Sequence, residues 1–382
     1  MAYMQTLSVA DLRNLDIAFV AVHRRSKGID MTKTTAPTAI QDVLDRAVSE
    51  GGVPGIIAEV RDEGRQWFGT AGVADTATEQ PRLPQHRFRI GSITKTFVAT
   101  VLLKLVGEGL LGLDDTVHQW LPNMVRGNGN DGDAITVRQL LNHTSGLFNY
   151  TDDREALNHY ETHSPSVLVN IAVAHPPTFA PGTNWGYSNT NYILAGLVVE
   201  AVAGASLHDE LRRHLIEPLG LTVTSLPHGS DPAIEGPHSR HYTKLFDSST
   251  DAVIHDATEL DVSMFGAAGG MISTLGDLHR FFAALLGGQL LHPAEQAEML
   301  RTVPTENWIA NTGYGLGISS VTLPSGVALW GMGGALFGSW TYAYGTGDGH
   351  HVLVANVNGE WAHGVWCDPI GVLTDLLRAE FD

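Results

Sequence analysis

The sequence predicts an α+β fold, α/β in the broad sense: an antiparallel sheet built from both ends of the chain, flanked by helices, with a mainly helical insertion. Three observations carry this. Strand-like runs follow residue 55 and return after residue 313, helical segments fill most of the span between them, and an apolar helical segment closes the chain. One domain is expected over 38–382, its sheet part at about 38–91 and 305–382 and its helical part at about 92–304. A chain of 382 residues is long enough to bury a substantial core.

Taken in order, Ala39 to Val48 reads as a helix broken by Val53-Pro54-Gly55. Ile56 to Val60 and Gln66 to Val73 read as strands joined by the turn Asp62-Glu63-Gly64. A helix beginning at Ser92 carries Phe97, Val98, Val101, Leu102, Leu105 and Val106 on one stripe and stops at Gly107 to Gly112. Gly127 to Asp133 is a polar surface loop, and Thr136 to Leu141 a short helix closed by Asn142-His143-Thr144-Ser145-Gly146. Ser166 to Val173, Tyr192 to Val202 and Leu207 to Ile216 follow as helices, the last stopped by Pro218. Residues 222–262 are rich in turns and give no assignment, whereas Leu275 to Leu286 is amphipathic. Strands are expected at Gly315 to Val321, Val327 to Trp330, Ser339 to Tyr344 and His351 to Asn356, and a final helix from about Val372 to Glu380.

Composition narrows the function classes. A net charge of −18 argues against nucleic acid or an anionic membrane as partner. Cys367 is the only cysteine, so no internal disulfide can form, which fits a reducing compartment. No apolar run reaches membrane-spanning length. Ile17 to Val22 is too short for a signal sequence and carries its basic cluster on the wrong side. Residues 1–37 read as a loosely ordered leader, with Met1 or Met31 as the start, and a cytoplasmic location is expected with secretion left open. The sequence does not specify an oligomeric state.

Candidate chemistry centres on Ser92 and Lys95. Residues three apart share a helix face, so the hydroxyl and the amine can meet. Serine is a weak nucleophile that needs a base, and lysine supplies one where burial or neighbouring positive charge leaves it neutral. The helix N-terminus adds backbone N–H groups for a developing oxyanion. The spacing predicts that Ser92 is acylated and that Lys95 helps to deprotonate it. An N-cap serine followed by a solvated lysine has the same pattern. Of Lys27, Lys33, Lys95, Lys104 and Lys244, only Lys95 has a serine three residues before it.

Two further stretches bear on this pair. In Trp185-Gly186-Tyr187-Ser188-Asn189-Thr190-Asn191, an extended loop would point Tyr187 and Asn189 to the same side. A phenol can move a proton, and an asparagine amide can bond both the lysine and a substrate carbonyl. An ordinary loop capping the next helix is the alternative. In Trp330-Gly331-Met332-Gly333-Gly334-Ala335, three glycines in a strand allow another backbone to come close, so a substrate can pair along the edge and one N–H can complete an oxyanion hole with that of Ser92. The alternative here is a bulge or hairpin corner.

In this order and spacing, the three stretches resemble the motifs of the serine penicillin-recognising superfamily, and Tyr-x-Asn narrows the likeness to its class C β-lactamase and D-alanyl-D-alanine carboxypeptidase-like branch. Phe88-Arg89-Ile90-Gly91-Ser92, Leu141 to Gly146 and Gly313-Tyr314-Gly315-Leu316-Gly317 extend it from about Thr38 to the C-terminus. The resemblance implies a β-lactamase/transpeptidase-like fold, with Ser92 as nucleophile and Lys95 as proton acceptor. It implies that Tyr187 passes the proton to the leaving group, that Asn189 holds the substrate amide, and that Ala335 N–H completes the oxyanion hole beside Gly333 and Gly334. No cofactor is implied, and the partner is a small-molecule or peptide-like ester or amide.

The chain departs from this branch in two ways. Where the branch carries Lys-Thr-Gly or His-x-Gly, Met332-Gly333-Gly334 stands, and methionine carries no charge. In the carboxypeptidases a threonine of that motif and an arginine on the next strand hold the substrate's terminal carboxylate; the matching places here are Gly333 and Ser319. Cell-wall peptide trimming is therefore not expected. The expected function is a serine hydrolase acting on an ester or amide, the alternatives being a transacylase that passes the acyl group to an amine and a catalytically silent binding module. Eighteen histidines raise a metal-dependent reading. His238 and His241 could share a metal only on a helix, which Pro237 and the surrounding turns oppose, and His350 and His351 point to opposite faces of a strand. No metal is expected.

Overall fold

The computed structural model describes residues 36–157, 163–245, 247, 249, 252–305, 308, 309, 311–366 and 368–382, with side chains from residue 39 onward. The expected leader lies outside these residues except for its last two, which open the first helix; Cys367 lies outside them as well.

Among the described residues, nine strands form one antiparallel sheet. Their order is Val303–Pro304, Thr312–Tyr314, Ser319–Thr322, Ala328–Leu336, Ser339–Gly345, His351–Val357, Gly55–Asp62, Arg65–Asp75 and Gln80–Pro81. The early and late parts of the chain meet where Gly55–Asp62 pairs with His351–Val357, Ile57 opposite Asn356 and Ala58 opposite Ala355. Helices Ala36–Ser49 and Pro369–Phe381 cover one face, packing Leu44, Val372 and Leu376 against Ala58, Val60 and Leu353. The opposite face, carrying Ile57, Val352 and Val354, packs on Phe281 and Phe282 of helix Leu275–Leu286 and on the helical layer beyond. Because both faces are covered, Gly55 to Val60 and all of Ser339–Gly345 are buried without a break, which reads in sequence as a continuous run rather than an alternation.

Helix Thr94–Gly107 lies inside the helical layer. Eleven of its residues are buried, so the expected stripe is part of a helix buried nearly all round, with Val106 only half-buried. Its buried hydroxyls are satisfied: Thr96 Oγ1 donates to Gly317 O at 2.7 Å and Thr100 Oγ1 to Thr96 O at 2.7 Å.

Several boundaries differ from expectation for identifiable reasons. The strand expected from Gly315 to Val321 is two strands, Thr312–Tyr314 and Ser319–Thr322, because Gly317 turns the chain at φ +77° and Gly315 N donates to Ile318 O at 2.8 Å. The strand expected to end at Trp330 continues to Leu336 through the glycines, its backbone paired with Ser339–Gly345. Pro218 does not stop the helix before it. Leu207–Leu211 runs through a widened turn, Arg212–Ile216, into Glu217–Leu219, and the run ends at left-handed Gly220. A wide turn absorbs the proline's missing N–H. The helix expected from Tyr192 begins at Asn189. Gly127 to Asp133 holds a small hairpin rather than a plain loop, and 222–262 contains the paired strands Tyr242–Thr243 and His255–Asp256. Among the described residues no single helix is long and apolar enough to cross a membrane.

Candidate active site

Ser92 is held by the chain on both sides of it. Strand Phe88–Arg89 pairs with Ile272–Ser273 and leads into a tight turn, Gly91–Ile93, in which Gly91 takes φ +51°. Helix Thr94–Gly107 follows directly, so Ser92 sits in a 3₁₀ turn ahead of the α-helix rather than as its first α-helical residue. Arg89 is fully buried, and its Nη2 donates to the carbonyls of Pro232, Thr258 and Leu260 at 2.6, 3.2 and 3.1 Å. Burial lowers its guanidinium to about 10, opposed by the charges of Asp231 and Asp261. Ser339 Oγ donates to Arg89 O at 2.7 Å, tying the same loop to the sheet.

Lys95 is buried one turn beyond the half-buried Ser92. Its Nζ lies 3.0 Å from Ser92 Oγ, 2.8 Å from Asn189 Oδ1 and 2.6 Å from the carbonyl of Ala268, all neutral acceptors. The same nitrogen sits 4.8 Å from the ring centroid of Tyr187 and 5.6 Å from that of Tyr192, within cation–π range. Tyr187 OH donates to Ser92 Oγ at 2.7 Å. A serine hydroxyl thus stands within hydrogen-bond reach of both an amine and a phenol, which is the geometry a proton relay requires.

The second stretch reaches the site by a different route from the expected extended loop. Ser188 is extended, with φ −145° and ψ 123°, and Asn189 is already the first residue of helix Asn189–Ala203. Its backbone N–H donates to Asn149 Oδ1 at 3.0 Å and its Nδ2 to Thr151 Oγ1 at 3.3 Å, while Oδ1 receives Lys95.

The glycine strand passes directly beside Ser92. A Cβ on Gly334 would lie 1.9 Å from Ile90 O and 2.9 Å from Ser92 N, and one on Gly91 would lie 2.7 Å from both N and O of Ala335. Strand Ser319–Thr322 covers its neighbour only as far as Ser319 opposite Gly331, so that pairing leaves Met332 to Leu336 uncovered on this side. Met332 is buried in the core of the helical layer and contributes to the wall of the cleft. Ser319 is engaged elsewhere, its Oγ bonded to Gly331 O at 3.0 Å and to Tyr344 OH at 2.7 Å. The cleft at Ser92 is walled further by Thr151, Phe265, Trp308, Leu336 and Trp340, and no described residue lining it is charged.

Sequence reasoning missed Ala268 O, Thr151, Phe265, Trp308 and Trp340. The run Gly266-Ala267-Ala268-Gly269-Gly270 was the available signal for the first, since small residues allow a backbone carbonyl to approach a buried amine. Trp308 lies nearly parallel to Tyr187, with ring centroids 6.1 Å apart. Among the described residues no group of three or more His, Cys, Asp or Glu side chains can hold a metal ion. His238 is half-buried and His241 buried, both outside any helix, and His351 pairs with Glu380 at 2.7 Å.

Known proteins share this arrangement of elements. A D-stereospecific amidohydrolase from Streptomyces sp. is 45% identical and superposes with a TM-score of 0.81 over 90% of this chain and 98% of its own. A D-amino acid amidase from Ochrobactrum anthropi SV3, solved with L-phenylalanine amide, is 27% identical with a TM-score of 0.77 over 91% of this chain and 98% of its own. Esterase EstB from Burkholderia gladioli is 33% identical over 193 residues, 47% of this chain and 48% of its own length. The matched stretches span only about a third to a half of the curated relatives' lengths. A sequence model of the Beta-lactamase family matches residues 40–363, and the chain belongs to that family, within the serine penicillin-recognising superfamily indicated by its three motifs.

Proposed function

We propose that the protein hydrolyses an amide or ester through an acyl-enzyme on Ser92, with amides of D-configured amino acids as its substrate class. The observation that carries this reading is the convergence of Tyr187 OH, at 2.7 Å, and Lys95 Nζ, at 3.0 Å, on one serine oxygen. A neutral Lys95 uses two N–H groups on Asn189 Oδ1 and Ala268 O and takes the Ser92 proton on its lone pair. Ser92 Oγ attacks the substrate carbonyl, its proton passes to Lys95, and the N–H groups of Ser92 and Ala335 meet the charge on the carbonyl oxygen. Cleavage of the C–N or C–O bond expels an amine or alcohol that takes the Tyr187 proton, and Lys95 returns its proton to the phenolate. Water then attacks the ester and passes a proton through Tyr187 to Lys95. Ser92 Oγ leaves with the proton that Lys95 gives back.

The D-configured class is supported by the 45% identical amidohydrolase and by the D-amino acid amidase. A leaving group without a carboxylate is supported by the absence of charge among the described residues lining the cleft and by the engagement of Ser319. Both features disfavour a carboxypeptidase. The test is incubation with D- and L-phenylalaninamide, reading released ammonia and the intact mass of the protein. Turnover of the D-amide with an adduct on Ser92, both lost in Ser92→Ala, is expected; turnover by Ser92→Ala, or no adduct in the wild type, overturns the reading. Added hydroxylamine separates acyl transfer from hydrolysis by the ratio of hydroxamate to free acid.

A further inference from the structure

His143 lies outside the three motif stretches, yet both neighbours of Tyr187 hang from it. Its carbonyl accepts the N–H of Gly186 at 3.0 Å and its Nδ1 accepts the N–H of Ser188 at 3.2 Å. Between those two anchors, the imidazole packs on the Tyr187 ring with centroids 4.4 Å apart. Tyr192 and Tyr314 enclose the imidazole further, at 5.4 and 4.8 Å. The residue holds this place with a left-handed backbone, φ +61°.

Its protonation is fixed by the same contacts. A backbone N–H can only donate, so Nδ1 must be an acceptor, and Asn191 Nδ2 supplies a second donor to it at 3.1 Å. Asn191 is oriented in turn by Ser145 Oγ, which donates to its Oδ1 at 2.6 Å and receives Leu147 N–H at 3.1 Å. The neutral ring therefore carries its proton on Nε2. Burial holds the imidazole well below its ordinary value, and the positive charge that Lys95 carries once it has taken the Ser92 proton pushes the same way, so the ring stays neutral when the lysine becomes charged.

We propose that His143 is the positioning residue for Tyr187: its carbonyl and Nδ1, as hydrogen-bond acceptors, fix the backbone on either side of the phenol, and its ring sets the phenol's distance to Ser92. This rests on the role given to Tyr187 above. A displacement of about 1 Å at a reacting group costs on the order of 100-fold in rate, so loss of the clamp is read in kcat and not in substrate binding.

Two variants test it. His143→Leu keeps bulk and removes the acceptor; His143→Asn keeps an acceptor on a residue that tolerates a left-handed backbone. With folding checked by circular dichroism and thermal unfolding, His143→Leu is expected to lower kcat about 100-fold with KM within about threefold, and His143→Asn to recover most of that loss. The pH profile of kcat/KM should keep its shape in His143→Asn, because the histidine it replaces does not titrate in the working range. Wild-type kcat in His143→Leu, or no recovery in His143→Asn, overturns the proposal. Nitrogen NMR of the wild-type protein provides a readout that needs no folded variant: Nδ1 unprotonated and unchanged from about pH 5 to 9 is expected, and a protonated Nδ1 or a titration in that window overturns it. Failure of wild-type Ser92 to acylate would instead strike the catalytic reading and leave these His143 measurements in place.

Discussion

Gly334→Ala perturbs the nucleophile through a single methyl group. A Cβ there would stand 1.9 Å from Ile90 O and 2.9 Å from Ser92 N, where an ordinary contact is 3.4 Å or more, so the Ile90 to Ser92 loop or the strand must retreat by about 1.5 Å. The contacts from Tyr187 and Lys95 to Ser92 Oγ, at 2.7 and 3.0 Å, do not survive a shift of that size. Misplacement by about 1 Å costs about 100-fold, so kcat should fall by about 100-fold or more. Overpacking should also cost about 1–3 kcal/mol of stability. Gly345→Ala is the control. Its Cβ would lie 2.6 Å from His351 O and 2.7 Å from Val352 Cγ2, a milder backbone clash at the far end of a strand in the same sheet. Steady-state kinetics on D-phenylalaninamide and thermal unfolding of both variants make the comparison, with a drop in Tm expected for both, smaller in Gly345→Ala, and a loss of kcat for Gly334→Ala alone. A Gly334→Ala enzyme within threefold of wild-type kcat, or an equal loss in Gly345→Ala, would refute the reasoning.

Other expectations follow from the cleft wall and from buried histidines. Trp308→Ala removes an aromatic wall beside Tyr187, so KM for a D-phenylalanine amide should rise about five- to tenfold while that for D-alaninamide changes little; equal effects on both would contradict this use of the ring. Burial lowers the imidazoles of His143 and His241 well below their ordinary value and that of His279 to about 3, with nearby arginine charge adding to the shift at the last two. Below about pH 6.5 the unfolded chain takes up protons that the folded chain refuses, so stability falls as pH falls, by about 2 kcal/mol at pH 5 for His279. Urea unfolding at pH 7, 6 and 5 measures this. His241→Phe, which replaces a ring whose nitrogens have no hydrogen-bond partner among the described residues, should reduce the pH-dependent loss. A flat stability curve between pH 7 and 5 would count against it.

Local chemistry was legible in the sequence, and distant chemistry only where a motif marked it, as at Tyr187 and Asn189. Ser92 and Lys95 were readable as a pair because a fixed helical rise relates them, and the structure brings their side chains to 3.0 Å. The sheet built from both chain parts followed from apolar strand runs at each end, and the structure has it. Ala268 O, 173 positions from Lys95, could not be found by spacing, since a backbone carbonyl leaves no side-chain signature. Trp308 and Phe265 reach the cleft from segments whose path depends on tertiary packing. The split at Gly317 and the helix through Pro218 were misread for the opposite reason, because a glycine and a proline each allow more than one outcome and the surrounding contacts choose.

The pairing of Gly55–Asp62 with His351–Val357 has a consequence for biosynthesis. A nascent polypeptide exposes Ser92, Lys95 and Tyr187 long before the segment bearing Ala335 has emerged from the ribosome, and the sheet that seats this segment beside Gly91 needs the still later strand at 351–357. Pairings between such distant segments form late and slowly. On the catalytic reading proposed above, the Ser92 hydroxyl therefore gains its full surroundings only after the strand at 351–357 has been made.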